Sequence, residues 1–90
     1  MSRTIITVVG KDAVGITAKV CTFLAEYNVN ILDISQTIVQ GFFNMMMIVD
    51  TSGMELSFEE FSEKLETCGE EINVKIKSQR EDIFTSMHRI

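Results

Sequence analysis

The order of apolar runs in this 90-residue chain predicts an α+β fold, a βαββαβ sandwich with one antiparallel sheet and a short C-terminal helix. Three observations carry that expectation. Four strand-like runs alternate with two stretches of helical periodicity in the order strand, helix, strand, strand, helix, strand. Two of the strand runs, residues 4–9 and 42–50, are apolar on both faces and therefore belong in the interior of a sheet. The split βαβ, ferredoxin-like topology with right-handed crossovers has sheet order 4-1-3-2 and puts those same two strands at its centre.

Each element has its own local reason. Residues 4–9, Thr-Ile-Ile-Thr-Val-Val, are all β-branched and stop at Gly10, which reads as a strand. Asp12 is expected to cap the next helix, its carboxylate accepting the amide of Gly15. Ile16, Val20, Phe23, Leu24 and Tyr27 then recur at helical spacing, and Asn28 is expected to close the helix in the left-handed conformation. Residues 30–40 read as a long strand with Leu32, Ile34 and Ile38 on one face, and Gly41 turns the chain tightly into residues 42–50. Thr51, Ser52 and Gly53 form a loop. Ser57 followed by Glu60 is a capping box that opens a helix bearing Phe58, Phe61, Leu65 and Cys68, with Gly69 expected to terminate it. Ile72, Val74 and Ile76 alternate with Asn73, Lys75 and Lys77 as a half-buried edge strand. Residues 81–88 read as a short helix with Ile83, Phe84, Met87 and Ile90 on one side.

Composition limits the function. The chain holds one domain, with a core over residues 4–78 and a tail over 79–90. At 46% hydrophobic and 23% charged it is ordinary for a globular protein, and its net charge of −5 repels a nucleic-acid backbone or an anionic membrane. Much of that charge lies in Glu55, Glu59, Glu60, Glu63, Glu66, Glu70 and Glu71, which read as the solvated face of one helix and, second, as a surface for a basic partner. No apolar run approaches the ~18 residues of a membrane span. Thr4, Thr7, Gly10, Lys11 and Asp12 interrupt any secretory leader, so a cytoplasmic location is expected. Cys21 and Cys68, far apart and without a CxxC pattern, fit a reducing compartment as small core fillers.

The two sheet edges differ. The last strand carries Lys75 and Lys77, a guard against edge pairing, whereas the second strand is long and carries only Asp33 as a charge. A homodimer through the edge of strand 2 is expected, with room for a higher oligomer. The apolar outer face of strands 1 and 3 also needs cover, and the Ile83, Phe84 and Met87 segment is expected to dock there, on its own or a partner's subunit.

Several chemistries that this topology hosts lack their residues. The loop after the first strand has no CxxC for a carried metal and no Arg to hold an acyl phosphate. The first strand has no aromatic for stacking RNA bases. Met45, Met46 and Met47 are adjacent on a strand, point to alternating faces and cannot converge on one ion, so they read as core filling. His88 is the only histidine and reads as a helix-end or surface group. With no catalytic constellation, no metal site and no cofactor expected, the chain is not read as an enzyme.

The segment Gly10-Lys-Asp-Ala-Val-Gly-Ile16, after a strand and at a helix start, resembles the signature loop of the ACT domain family. Asn28-Val-Asn-Ile31 is similar to the family's Gly-Val-Asn-Ile at the start of strand 2, with Asn30 fifteen residues after Gly15. The resemblance covers residues 4 to about 78, and the tail resembles that of small stand-alone ACT proteins. It implies binding of an amino acid or similar small acid at a subunit interface, between this loop of one copy and strand 2 of another. The ligand-binding residues so implied are Lys11, Asp12, Ala13, Val14, Gly15, Ile16, Asn30 and Ile31. Asp12 would meet the ligand's ammonium group, Gly15 would allow close approach, and Asn30 would come from the neighbouring subunit. Many amino-acid-binding members carry Asn at the Asp12 position and Pro at the Val14 position, and this chain departs at both. Two functional readings follow: a ligand sensor acting on a separate protein, and a ligand-free adaptor docking on an enzyme or transcription regulator.

Overall fold

In the computed structural model the described residues are 2–81. The expectations for the C-terminal helix, its docking on the outer sheet face and the role of His88 lie outside them. Six elements follow one another: β1 (Arg3–Lys11), α1 (Ile16–Glu26), β2 (Asn30–Val39), β3 (Phe42–Asp50), α2 (Phe58–Glu71) and β4 (Val74–Arg80). They build one antiparallel sheet in the order β2-β3-β1-β4, so the two doubly apolar strands are central as their sequences require. Ile6 pairs with Met47 and Val8 with both Met45 and Ile76, which puts these residues on the face that carries the helices. That face buries Val20 and Leu24 of α1 and Phe61 and Leu65 of α2 against the sheet. Each such large apolar side chain contributes roughly 1.5–3 kcal/mol by leaving water. Met45 and Met47 are part of this core, but Met46 lies on the opposite face and is 43% exposed, as strand alternation demands.

The helix boundaries refine several expectations. Asn28 does close α1: its φ is 59°, its amide donates to Ala25 O at 3.2 Å and that of Val29 to Leu24 O at 2.9 Å. This is the paired hydrogen-bond pattern of a left-handed helix stop. Asp12, however, does not cap the helix. The N-cap is Gly15, at φ 90° and ψ 2°, with no side-chain cap, and the Asp12 amide donates instead to Gly41 O at 2.8 Å. The left-handed turn at Gly15 starts the helix three residues after Asp12, beyond the carboxylate's capping position.

At α2 the capping box forms as expected, with the Glu60 amide donating to Ser57 Oγ at 3.2 Å and the Ser57 amide to Glu60 Oε1 at 3.3 Å. Gly69 does not terminate this helix, which runs to Glu71; the stop falls at Asn73, whose φ is 58°. Gly69 is required for another reason. A Cβ there would lie 2.8 Å from Val74 O and 2.8 Å from Ile76 Cγ1, so the helix crosses β4 too closely for any side chain. All seven glutamates of the acidic run are exposed. Cys68 is buried, which pushes its thiol up from its ordinary value, and it acts as packing. At the end of β3 the Ser52 amide and hydroxyl and the Ser2 amide all donate to the Asp50 carboxylate and hold its carboxyl below the ordinary value.

β2 is shorter and less regular than its sequence implied. It ends at Val39, and the hairpin turn has positive φ at both central residues, 50° at Gln40 and 82° at Gly41, the turn whose twist matches the flanking strands. The register shifts between Ile31 and Asp33, leaving Leu32 as a bulge. The Asp33 carboxylate accepts the amide of Ile34 at 2.8 Å. The start of this edge is thus bulged and partly capped, and only its later half is a regular strand.

Candidate functional site

The loop between β1 and α1 is a short bridge with three anchors. The Asp12 amide ties it to the β2–β3 hairpin through Gly41 O. Ile16 is 2% exposed and anchors the first turn of α1 in the core. One residue on, the Thr17 hydroxyl donates to Gln36 Oε1 at 3.1 Å, fixing the start of α1 beside β2. Between these anchors Lys11, Asp12, Ala13, Val14 and Gly15 are all exposed, and Val14 stands clear of the protein at 106%.

Gly15 makes the bridge possible. Nothing lies within 4 Å of the position its Cβ would take, so the residue is not needed for packing; it is needed for φ of 90°, which only glycine adopts without strain. The first backbone bond of α1 runs from the Lys19 amide to Gly15 O at 2.9 Å. The amides of Ile16, Thr17 and Ala18 precede it and have no partner within the helix, and they coincide with the positive end of the helix dipole. Such a start attracts a carboxylate. Lys11 and Asp12 precede it in the same exposed loop, one charge of each sign.

The sequence-predicted residues divide into two groups that one chain does not bring together. Lys11, Asp12, Ala13, Val14, Gly15 and the backbone of Ile16 sit at the end of the sheet where Lys11 pairs with Phe42. Asn30 and Ile31 start β2 at the opposite end, where Asn30 pairs with Asp50. Along β3 that separation is about 27 Å at ~3.4 Å per residue. The cause is topological. β1 and β2 are both antiparallel to β3 and so run parallel to each other, with the loop following one strand's end and Asn30 beginning the other. Asn30 is exposed and Ile31 half-buried.

Beside the loop lies the strand edge that the sequence marks as unguarded. β2 is an outer strand of the sheet, and Ile34, Ile38 and Val39 are 41%, 52% and 55% exposed along it. Ile34 and Ile38 pair with Met47 and Phe43, so they lie on the same sheet face as α1. The sequence puts Leu32, Ile34 and Ile38 on one face; the structure keeps Ile34 and Ile38 there and leaves Leu32 in the bulge. Among the described residues no helix is long and apolar enough to cross a membrane.

A family model described as an ACT domain matches residues 2–79. A UPF0237 protein from Bifidobacterium longum is 58% identical over 90 residues, the full length of both chains. Among solved structures, an ACT domain protein from Streptococcus pneumoniae superposes with a TM-score of 0.83 at 43% identity, covering 92% of this chain and 93% of that one. A formyltetrahydrofolate deformylase from Pseudomonas syringae superposes with a TM-score of 0.82 at 26% identity over 89% of this chain, which spans only 28% of that longer protein.

Proposed function

Because the chain belongs to the ACT domain family, we propose that it is a regulatory module that binds an amino acid or a related small acid between two copies of itself and acts on a separate protein. The observation that carries this reading is the open Gly15 turn at the start of α1, held beside the apolar outer edge of β2. The ligand's carboxylate meets the first amides of α1, and its ammonium group meets the Asp12 carboxylate. The third contact, Asn30, comes from the second copy. A copy added antiparallel along β2 runs its own β2 the opposite way, which brings its Asn30 towards the end that carries Val39, Gly41 and the loop. The bulge at Leu32 and the local capping of Ile34 restrict this pairing to the later half of the strand. Ile34 and Ile38 are covered by the same contact.

The ligand-free adaptor has one observation in its favour: the exposed glutamates of α2 form an acidic face that a basic partner can use without any small molecule. Thermal unfolding of the protein with each of the twenty amino acids at millimolar concentration separates the two. A ligand at 100 times its dissociation constant stabilises by about 2.7 kcal/mol, which in a domain of this size raises the midpoint by roughly 10–20 °C. The sensor reading predicts a selective rise with one or a few amino acids, abolished by Asn30→Ala. A flat panel rejects the sensor and leaves the adaptor, and a rise that Asn30→Ala leaves intact rejects the site shared between two copies.

A further inference from the structure

At the other end of β1 from the loop, a cleft of about 490 Å³ opens between the start of β1, the end of β4 and the start of α2. This volume falls within the range that holds small metabolites. Its walls bring together two guanidinium groups and an aromatic ring. The Arg80 guanidinium carbon lies 5.7 Å from the centre of the Phe58 ring, within cation–π range. Arg3 Nη1 reaches Glu81 Oε2 at 3.3 Å. Met54 adds an apolar wall, and Ser2 and Thr51 add polar ones. Arg3 is engaged by Glu81, and the neighbouring Asp50 carboxylate by Ser2 and Ser52, so among the described residues Arg80 is the cation of the lining that holds no carboxylate partner.

We propose that this cleft is a second ligand site, taking the oxyanion group, carboxylate or phosphate, of a small metabolite on the Arg80 guanidinium. Stacking on Phe58 limits the rotamers of Arg80 before any ligand arrives, so less side-chain freedom is lost on binding. The planar fork of the guanidinium matches the two oxygens of either group. Phe58 and Met54 exclude water from one side of the ion and accept a short apolar body attached to it. The site lies about eight strand residues from the Gly15 turn, at the opposite end of β1, and does not depend on a second copy.

The test uses the full chain and follows the backbone amide resonances of Thr51, Met54 and Phe58 during titration with sodium phosphate and, separately, sodium succinate, each against sodium chloride of equal ionic strength. The proposal expects a saturable shift with at least one of the two anions and none with chloride; which anion saturates identifies the phosphate or the carboxylate as the group taken. Arg80→Gln is expected to abolish saturation, and Arg80→Lys, which keeps the charge but loses the fork, to weaken it about tenfold. A shift that rises linearly and equally with all three salts is screening and overturns the proposal. A saturable shift that survives in Arg80→Gln overturns it as well.

Discussion

Replacing Phe61 by alanine is expected to destabilise the domain by about 3–5 kcal/mol, the range for a fully buried phenylalanine. Phe61 is 0% exposed and lies at the centre of the core. It also ends a run of aromatic contacts that joins the two helices: its ring centre is 6.0 Å from that of Phe23, and Phe23 is 4.8 Å from Tyr27. Truncation removes the transfer energy of the ring and leaves a cavity, and an aromatic pair worth roughly 0.5–1.5 kcal/mol is lost as well. A domain of this length has only about 5–13 kcal/mol in total, so the variant should unfold at a much lower urea concentration. Phe61→Leu, which keeps most of the volume, should lose less than about 2 kcal/mol. If Phe61→Ala and Phe61→Leu had the same midpoint, the helices would not be held together by this packing.

Gly69→Ala should destabilise the protein against the usual trend. In a helix interior, exchanging glycine for alanine ordinarily stabilises by about 1 kcal/mol. Here the new methyl would sit 2.8 Å from Val74 O and 2.8 Å from Ile76 Cγ1. The isoleucine can adjust its rotamer, but the carbonyl belongs to β4, which is paired along β1 from Thr4 to Gly10 and cannot retreat alone. Relief requires α2 to lift from the sheet, an overpacking cost of roughly 1–3 kcal/mol. The expected balance is a net loss of up to about 2 kcal/mol, read as a lower denaturation midpoint. A higher midpoint would mean that the crossing of α2 over β4 is looser than 2.8 Å implies.

The order of elements and the central places of β1 and β3 were legible because both strands carry apolar residues on their two faces, although only the face under the helices is closed and Val9, Phe42 and Met46 remain exposed on the other. Boundaries set by one or two dihedral angles were harder. Asp12 has the chemistry of a helix cap, yet the left-handed turn at Gly15 decides where α1 begins, and a glycine in sequence does not state the sign of its φ. Gly69 and Asn73 are both credible helix stops, and only the approach of β4 separates the glycine that packs from the asparagine that turns. The bulge at Leu32 has no sequence signal of its own, because it records how β2 aligns with β3 over many residues. The loop of the candidate site was visible as a motif. That Asn30 lies about 27 Å from it follows only once β1 and β2 are known to run parallel.

A shared site makes a demand that neither chain meets alone, and a mixing experiment tests it. Asp12→Ala removes the loop's carboxylate and Asn30→Ala the contact supplied by the second copy; both residues are exposed, so neither change disturbs the core. Each variant by itself should bind the amino acid selected by the unfolding panel at least tenfold more weakly. When the two are unfolded together and refolded as an equal mixture, half of the dimers contain one copy of each. In those dimers one interface carries both defects and the other carries none. Calorimetric titration should then recover roughly a quarter of the wild-type sites, at wild-type affinity. If the mixture binds no better than its two components, loop and Asn30 do not belong to one site across an interface, and the account of this protein as a two-copy sensor is wrong.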